Sequence, residues 1–262
     1  MDLIVVGQGR AGGSLTVAAK AAGHNIVGVL SRNETDDYGA LLAWDTRLPE
    51  VDLVLIAVTD GAVAEVAERI APHITGMPLV AHVSGFVALE ALEPVRSRGL
   101  DVGSFHPLQT LPEPERGALA LAGSTAAITG VDTVAETLGR FARSLGMDPM
   151  RIADHQKPAY HAAAAAAANF VVTSLAVAAD LLEAAAVPLE AVRPLVRRVV
   201  DNAFEVGPDS ALTGPIARGD FATVRGQLAA ATAVSEELGA QFRLLAEATA
   251  RRAGRDPGGL TE

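Results

Sequence analysis

The chain has 262 residues, 50% hydrophobic and only 4% aromatic, which is enough for one large or two modest domains with an aliphatic, alanine-rich core. Cysteine is absent, which excludes disulfides, thiolate catalysis and cysteine-ligated zinc or iron–sulfur sites. The formal charge of −10 disfavours nucleic acid and anionic membrane as partners but leaves small anionic ligands open.

A glycine-rich turn lies between two apolar runs at the start of the chain. The first run leads into Gly7, Gly9 and Gly12 in a Gly-x-Gly-x-x-Gly pattern, and a helical pattern over 11–22 precedes the second run at 26–30. This is the order that a dinucleotide-binding β-α-β unit requires. The amino terminus of such a helix favours a diphosphate. A purely structural glycine turn is the alternative.

The residues around this turn are the predicted cofactor contacts, namely Gly7, Gln8, Gly9, Arg10, Ala11 and Gly12. The second strand is followed by Ser31 and Arg32, with no acidic residue before Glu34. A hydroxyl and a guanidinium favour a ribose 2′-phosphate over a 2′-hydroxyl. We therefore expect NADP(H). NAD(H) is the alternative, in which Arg32 is an ordinary solvated arginine.

Strand and helix patterns alternate along the first half of the chain. Strands are predicted at 52–58, 79–83, 102–105, 124–128 and 150–152, and helices at 62–70, 88–95 and 131–145, with a weak helical turn near 38–44 and a loop over 111–120. This rhythm predicts a parallel, doubly wound Rossmann domain over 1–153. Val58 and Thr59, which end one strand, are expected to border the cofactor's ribose and nicotinamide.

From Asp154 onward the patterns are helical only, over 158–186, 189–206, 221–230 and 234–253. They predict an all-helical substrate or dimerisation domain over 154–262, with a frayed tail from Gly254. The apolar window 170–187 contains four polar or charged residues, so a buried helix fits it better than a membrane span. We read no signal peptide and expect a cytoplasmic protein.

The helix that opens this second domain carries candidate catalytic residues. Lys157, Tyr160 and His161 share one helical face, and Asn169 follows two turns later. Hydride transfer to C=O or C=N needs a proton donor, which Lys157 or His161 could supply. Lys157 could instead orient a substrate carboxylate. The competing interpretation is a solvated surface lysine beside a satisfied buried histidine.

Two further polar residues end predicted strands, where ligands bind in open α/β sheets. Ser84 and His106 could each position a substrate carboxylate or carbonyl, and a structural role suits both equally well. His82 is expected to be a core histidine. Thr213 and Gly214, in a polar break between helices, could bind an anion or form a plain turn. Six histidines without acidic clustering predict no metal site.

These stretches together resemble a bacterial family of Rossmann-like proteins with a C-terminal domain of unknown function. The resemblance is carried by residues 7–12, 83–85, 104–110, 160–163 with Asn169, and 212–215 with 218–220. More distantly, the chain is similar to pyrroline-5-carboxylate reductase, ketopantoate reductase and the β-hydroxyacid dehydrogenases. Those enzymes pair a Rossmann domain with an all-helical domain of the 6-phosphogluconate dehydrogenase C-terminal type.

The resemblance implies NADP-dependent reduction of a small carboxylated ketone or imine, such as a ketopantoate-like 2-oxoacid, by a homodimer formed through the helical domain. In two of these families a catalytic lysine is followed four residues later by an asparagine. Lys157 matches the lysine, but His161 stands in the second position, which puts the substrate class in question. A non-catalytic NADP(H)-binding sensor or interaction protein is the rival hypothesis, and a metal hydrolase is a remote third.

Overall fold

The computed structural model describes residues 1–32 and 38–260, so Glu34, the first acidic residue after the second predicted strand, lies outside the described residues. The chain divides into two compact units, Met1–Ala165 and Ala166–Glu262. The division therefore falls later than the boundary predicted after Ala153. The helix that begins at Lys157 packs with the sheet of the first unit, where the lysine contacts Ser104.

The first unit is built on a seven-stranded sheet with the spatial order β2-β1-β3-β4-β5-β6-β7. In chain order the strands are β1 (Asp2–Val6), β2 (Asn25–Leu30), β3 (Leu53–Ile56), β4 (Leu79–His82), β5 (Val102–Leu108), β6 (Thr125–Thr129) and β7 (Asp148–Arg151). Neighbouring strands run parallel, except that β5 and β6 are antiparallel. The predicted Rossmann fold is confirmed, but a wholly parallel sheet is wrong at this one pair.

Helices cover both faces of the sheet, as the doubly wound prediction requires. They are α1 (Arg10–Ala21), α2 (Val63–Ile70), α3 (Glu93–Arg96), α4 (Pro114–Leu121), α5 (Asp132–Ser144) and α6 (Lys157–Ala165). Side chains of β1 alternate between two cores: Leu3 and Val5 pack with α1 and α5, and Ile4 and Val6 pack with α2 and α3. The continuous apolar run of a strand buried on both faces follows from this arrangement.

Two local predictions for the first unit are wrong. The expected loop over 111–120 contains α4, because Pro114 occupies the first helical turn, where its missing N–H group is tolerated. Gly117 then allows close contact with α1, since a Cβ at that position would overlap the side chain of Ser14. Residues 38–44 form a turn and a single bridge from Val29 to Leu41 instead of the predicted helical turn.

The second unit contains helices only within the described residues 166–260, as predicted. A π-helical turn, Ala166–Phe170, precedes α7 (Val171–Ala184), which is followed by α8 (Arg193–Val206), α9 (Pro208–Ala211), α10 (Gly214–Arg218), α11 (Phe221–Val234) and α12 (Glu236–Arg252). Pro194 lies in the first turn of α8, so it marks a later start instead of a kink. The tail is ordered as far as Leu260, which is buried, so the frayed tail is not observed in its described part.

Apolar side chains of α7 and α8 are largely exposed. Val172 is 67% exposed, Leu195 62% and Phe204 88%, while Val177 packs with residues of α11 and α12. The expectation of a buried helix over 170–187 is therefore wrong for the single chain. The helical run Asp154–Ala184 is long and apolar enough, by length and composition alone, to cross a membrane.

Candidate active site and cofactor cleft

A cleft of about 300 Å³ opens where β1 and β3 end. Seven of the predicted cofactor contacts line it, namely Gly7, Gln8, Gly9, Ser31, Arg32, Val58 and Thr59. The other three lie in α1 beside it, with Arg10 exposed and Gly12 buried. The cleft therefore gathers residues that the sequence places in three separate stretches, and each of these stretches follows a parallel strand.

The geometry of the glycine turn matches the role predicted for each glycine. Gly7 has a φ of +101°, a left-handed conformation that favours glycine. A Cβ on Gly12 would overlap the carbonyl oxygen of Gly7, so its absence lets α1 pack on the turn. Among the described residues, apart from its two chain neighbours, no atom lies within 4 Å of a Cβ built on Gly9, which leaves that side of the turn open to a ligand.

Trp44 and Arg69, which the sequence did not single out, form part of the wall of this cleft. The Trp44 Nε1–H donates to the carbonyl oxygen of Ser31 over 3.1 Å, which fixes the indole beside Arg32. The Arg69 guanidinium lies over the indole, 4.5 Å from its centroid, and donates to both carboxylate oxygens of Asp45 over 2.8 and 2.7 Å.

A second group of polar residues surrounds Lys157 at the start of α6. Lys157 is only 1% exposed, so the alternative of a solvated surface lysine is wrong. Its Nζ donates to Ser104 Oγ over 3.1 Å and lies 3.9 Å from a carboxylate oxygen of Asp154. Both oxygens of that carboxylate accept the Leu89 N–H, at 3.1 and 3.0 Å. The ammonium is thus held by β5 on one side and by an anchored carboxylate on the other.

His106 on β5 contacts two partly exposed residues of α6. Its Nδ1 is 2.8 Å from the Tyr160 hydroxyl, and its ring centroid is 6.0 Å from that of His161, which in turn lies 5.9 Å from the ring of Phe86. A Cβ on Gly85 would come within 2.9 Å of three atoms of the imidazole. Glycine at position 85 therefore provides the space that the His106 ring occupies.

Burial sets the protonation states in this group. It lowers the pKa of Lys157 from 10.5 to about 8, although the carboxylates of Asp154 and Asp60 oppose the change. Burial, with the neighbouring His161 and Lys157, lowers the pKa of His106 from 6.5 to about 4. It raises the pKa of the Tyr160 hydroxyl from 10.0 to about 12. Near pH 7 the group therefore contains a charged lysine, a neutral imidazole and a neutral phenol.

Ser84 and His82 have structural contacts in this unit. Ser84 Oγ accepts the N–H groups of Phe86 and Val87 at 3.0 and 2.9 Å, which holds the turn after β4. His82 is fully buried, as predicted, and its Nδ1 accepts the Ser84 N–H over 3.2 Å. Burial, then Lys157 and His106, lowers the pKa of His82 from 6.5 to about 3. Ser84 thus places Gly85 under the imidazole of His106.

The structure brings four of the predicted catalytic positions together in the first unit, namely Ser84, His106, Lys157 and His161. Asn169 lies in the π-helical turn of the second unit, where it is exposed, and its role remains a prediction. Ser104 and Asp154 were not predicted as partners of Lys157. A signal was present for Ser104, because it precedes His106 by two residues and so lies on the same side of a strand.

A larger groove of about 610 Å³ lies where β6 and β7 end. Because β6 is antiparallel to β5, this is the end of the sheet opposite to the glycine turn. Its two arginines already have carboxylate partners, Arg96 with Glu93 at 3.0 Å and Arg151 with Asp132 at 2.6 Å. These pairs neutralise the cations that would bind an anion. The cleft beside the glycine turn is therefore the better candidate for the nucleotide.

Residues 124–249 match a family described as a domain of unknown function (DUF2520). This segment covers the end of the sheet unit and most of the helical unit. Comparison with curated proteins found no match.

Solved reductase structures share the fold over nearly the whole chain. A candidate NADP oxidoreductase from Bacteroides fragilis is 22% identical, with 95% of this chain and 98% of that chain covered and a TM-score of 0.81. A reductive aminase from Aspergillus terreus, solved with NADPH and ethyl levulinate, is 16% identical, with 99% and 98% covered and a TM-score of 0.68. A Plasmodium falciparum pyrroline carboxylate reductase with NADP bound is 12% identical, with 97% and 98% covered and a TM-score of 0.63. The chain is a Rossmann-like protein with a helical C-terminal domain.

Proposed function

We propose that this protein is an NADP(H)-dependent oxidoreductase that reduces a small carboxylated ketone or imine. The observation that supports the proposal most strongly is the cleft that extends from the open glycine turn at Gly9 to Ser31 and Arg32. The fold that the chain shares with NADP-bound reductases is consistent with it.

The cofactor preference rests on the end of β2. Arg32 can pair bidentately with a 2′-phosphate, and the Ser31 hydroxyl can donate to the same group. The glycine turn and the amino end of α1 would hold the pyrophosphate. NADP(H) is therefore the proposed cofactor, and NAD(H) is the alternative. When bound, the nicotinamide supplies or accepts the hydride.

Lys157 is the proposed proton donor. Reduction of C=O or C=N adds a hydride to carbon and a proton to oxygen or nitrogen, so a positioned acid must release one proton. With its pKa lowered to about 8, Lys157 stays charged near pH 7 and yet gives up its proton far more readily than an exposed lysine. Ser104 Oγ accepts the bond from Nζ, so its own proton is free to point toward an acceptor.

His106, Tyr160 and His161 are the proposed positioning residues for the acceptor. They lie next to Lys157 on β5 and α6 and are partly exposed, whereas the lysine is not. The proposed substrate class is anionic, because Lys157 is charged and its Nζ lies 3.9 Å from the Asp154 carboxylate, too far for a hydrogen bond, while the imidazole of His106 is neutral. A carboxylated ketone or imine satisfies both the charge and the need for a reducible double bond.

The test has a binding arm and a turnover arm. NADPH is expected to gain fluorescence on binding and NADH to bind more weakly, and Arg32→Ala should remove most of the difference between the two. Turnover is then measured over a panel of 2-oxoacids, including ketopantoate, and cyclic imines. Lys157→Met should lower kcat at least a hundredfold while NADPH affinity is kept.

Lys20 provides a matched control, because it is exposed on α1 and is the other lysine of the chain. Lys20→Met should leave both measurements unchanged. An unchanged kcat in Lys157→Met would overturn the assignment of the acid. NADPH binding without turnover of any substrate in the panel would favour the rival function, a non-catalytic NADP(H)-binding sensor or interaction protein.

We further propose that the protein is a cytoplasmic homodimer formed through the helical unit. Its support is the exposed apolar surface of α7 and α8, which includes Val172, Leu195, Val199 and Phe204. Exposed apolar surface of this extent marks an association site. A second copy of the chain accounts for it without a membrane, since the run Asp154–Ala184 begins with Lys157 buried against the sheet.

A further inference from the structure

We infer that Trp44 and Arg69 form a preassembled platform on which the adenine base of the nucleotide stacks, a role that rests on the proposed function. These two side chains lie beside Ser31 and Arg32 in the cleft. They are 25 residues apart in sequence, on either side of β3. The inference assigns them the base-recognition half of the adenosine site and leaves the 2′-phosphate to Arg32.

Both side chains of the platform are already held by hydrogen bonds within the protein. The indole of Trp44 is fixed by its Nε1–H bond to Ser31, and the guanidinium of Arg69 is fixed by two bonds to Asp45. Asp45 itself has a φ of +62°, an uncommon conformation for a residue other than glycine, and its carboxylate accepts both bonds from Arg69. A prearranged pair loses little side-chain entropy when a ligand binds.

The pairing with Asp45 also decides what Arg69 can recognise. The carboxylate neutralises the guanidinium and occupies the N–H groups of Nε and Nη2 that a phosphate would otherwise receive. The planar faces of the Arg69 guanidinium and the Trp44 indole remain, and such flat, polarisable surfaces stack on any planar base. Arg32 forms no such ion pair among the described residues. The two arginines of the cleft therefore divide into one that stacks and one that binds phosphate.

Position in the molecule supports the same assignment. Trp44 and Arg69 line both the cleft and an adjoining groove of about 490 Å³, as Ser31 and Arg32 do. The platform thus lies at the end of the cleft where β2 finishes, away from the Lys157 group. An adenosine at this end and a nicotinamide toward Thr59 would span the glycine turn between them.

The experiment uses the single tryptophan of the chain as the reporter. Adenosine 2′,5′-bisphosphate, which has no nicotinamide, is titrated against the full-length protein while Trp44 emission is recorded. Reduced nicotinamide mononucleotide, which has no adenosine, is titrated in parallel. We expect the bisphosphate to quench Trp44 emission saturably. Any quenching by the mononucleotide should not depend on Arg69. Unchanged emission in the presence of saturating bisphosphate would overturn the inference.

Two substitutions at position 69 separate stacking from charge. Arg69→Lys keeps the charge but removes the plane, and Arg69→Ala removes both. If the role is stacking, both should weaken binding of the bisphosphate by about tenfold or more and leave the mononucleotide unaffected. Wild-type affinity in Arg69→Lys would overturn the inference, because charge alone would then suffice. Arg98→Ala, at an exposed arginine of the same unit, is the matched control and should change nothing.

Failure of the inference is distinguishable from failure of the proposed function. If NADPH binds but Trp44 emission does not change with the bisphosphate, only the platform assignment is wrong. If neither NADPH nor the bisphosphate binds, the proposed function falls with it. Trp44→Phe is a second test that leaves Arg69 unchanged: it keeps an aromatic face but removes the Nε1–H bond to Ser31, and its affinity for NADPH is measured by NADPH fluorescence. Affinity weakened more than a hundredfold in this variant would also contradict a simple stacking role.

Discussion

The two units differ in the side chains that they bury and expose. The sheet unit buries Lys157 and His82 completely and surrounds the lysine with Ser104 and Asp154. The helical unit does the reverse, since it leaves large apolar residues such as Phe204 exposed. Buried charge is costly unless it is paired, and exposed apolar surface is unfavourable unless it is covered.

The contrast also concerns how much apolar core each unit forms within a single chain. The sheet unit has a core on both faces, and its fully buried titratable residues, His82 and Lys157, lie near one another, as at functional sites. The helical unit has only small buried clusters, around Val177 and Val224. Large apolar residues lie on its surface. The first pattern supports the proposed catalytic role of the sheet unit, and the second supports the proposed homodimer.

The largest effect is expected in the core of the sheet unit. Phe105 is fully buried on β5 and packs on Phe141, with ring centroids 5.2 Å apart. Phe105→Ala should lower the free energy of unfolding by about 3–5 kcal/mol, through lost burial and the cavity it leaves. Urea denaturation followed by Trp44 emission measures it. A loss below about 1 kcal/mol would contradict the described packing.

Lowering the pH by one unit should destabilise the sheet unit next most strongly. All six histidines precede residue 166, and the pKa values of His82 and His106 fall from 6.5 to about 3 and about 4 on folding. Between pH 6.5 and 4 the unfolded chain binds more protons, so stability falls as pH falls, by up to about 1.4 kcal/mol per pH unit for each histidine. His82→Gln should make the slope shallower in denaturation series at several pH values, and an unchanged slope would contradict the burial.

Association should depend on the helical unit. Phe204→Glu places a charge at the 88% exposed phenylalanine of α8 and should weaken the proposed homodimer by about 2 kcal/mol, or about thirtyfold in Kd. Sedimentation equilibrium measures the change. Leu119→Glu, at an 81% exposed leucine of the sheet unit, is the matched control. Equal dissociation in both variants, or in neither, would remove the distinction between the two surfaces.

The smallest effect is a further change in the pKa of Lys157. The chain has two lysines, so ¹³C-lysine NMR should give two side-chain signals, which Lys20→Arg assigns. The Lys157 signal should titrate at about 8, and Asp154→Asn should lower that pKa further, because the carboxylate favours the charged form. An unchanged Lys157 pKa in Asp154→Asn would show that the Asp154 carboxylate, 3.9 Å from Nζ, does not stabilise the charged lysine.

The sequence predicted most elements of the sheet unit, because strands buried on both faces are continuous apolar runs and glycines at fixed spacing mark the turn. It did not predict that β6 runs against β5, since an apolar run contains no information on direction. It also missed α4, where two prolines suggested a loop. The contact of Gly117 with Ser14 on α1, which secures that helix, is a tertiary feature.

For the candidate site, local spacing was informative and long-range pairing was not. The i, i+3, i+4 relation placed Lys157, Tyr160 and His161 on one face, as observed. It could not show that Lys157 is buried against Ser104, 53 residues earlier. Trp44 and Arg69 gave no pattern at all, since their contact depends on how two segments fold back beside β3.

The contact between Gly85 and His106 couples two positions that share no hydrogen bond. The backbone at position 85 is not in the left-handed region, so other residues could adopt its conformation, and the three atoms nearest to the point that a Cβ would occupy all belong to the imidazole, at 2.9 Å. A methyl group at 85 therefore requires the imidazole at 106 to shift from its observed position. Among chains that share this architecture, the two sites should covary: a larger residue at the first requires a smaller one at the second.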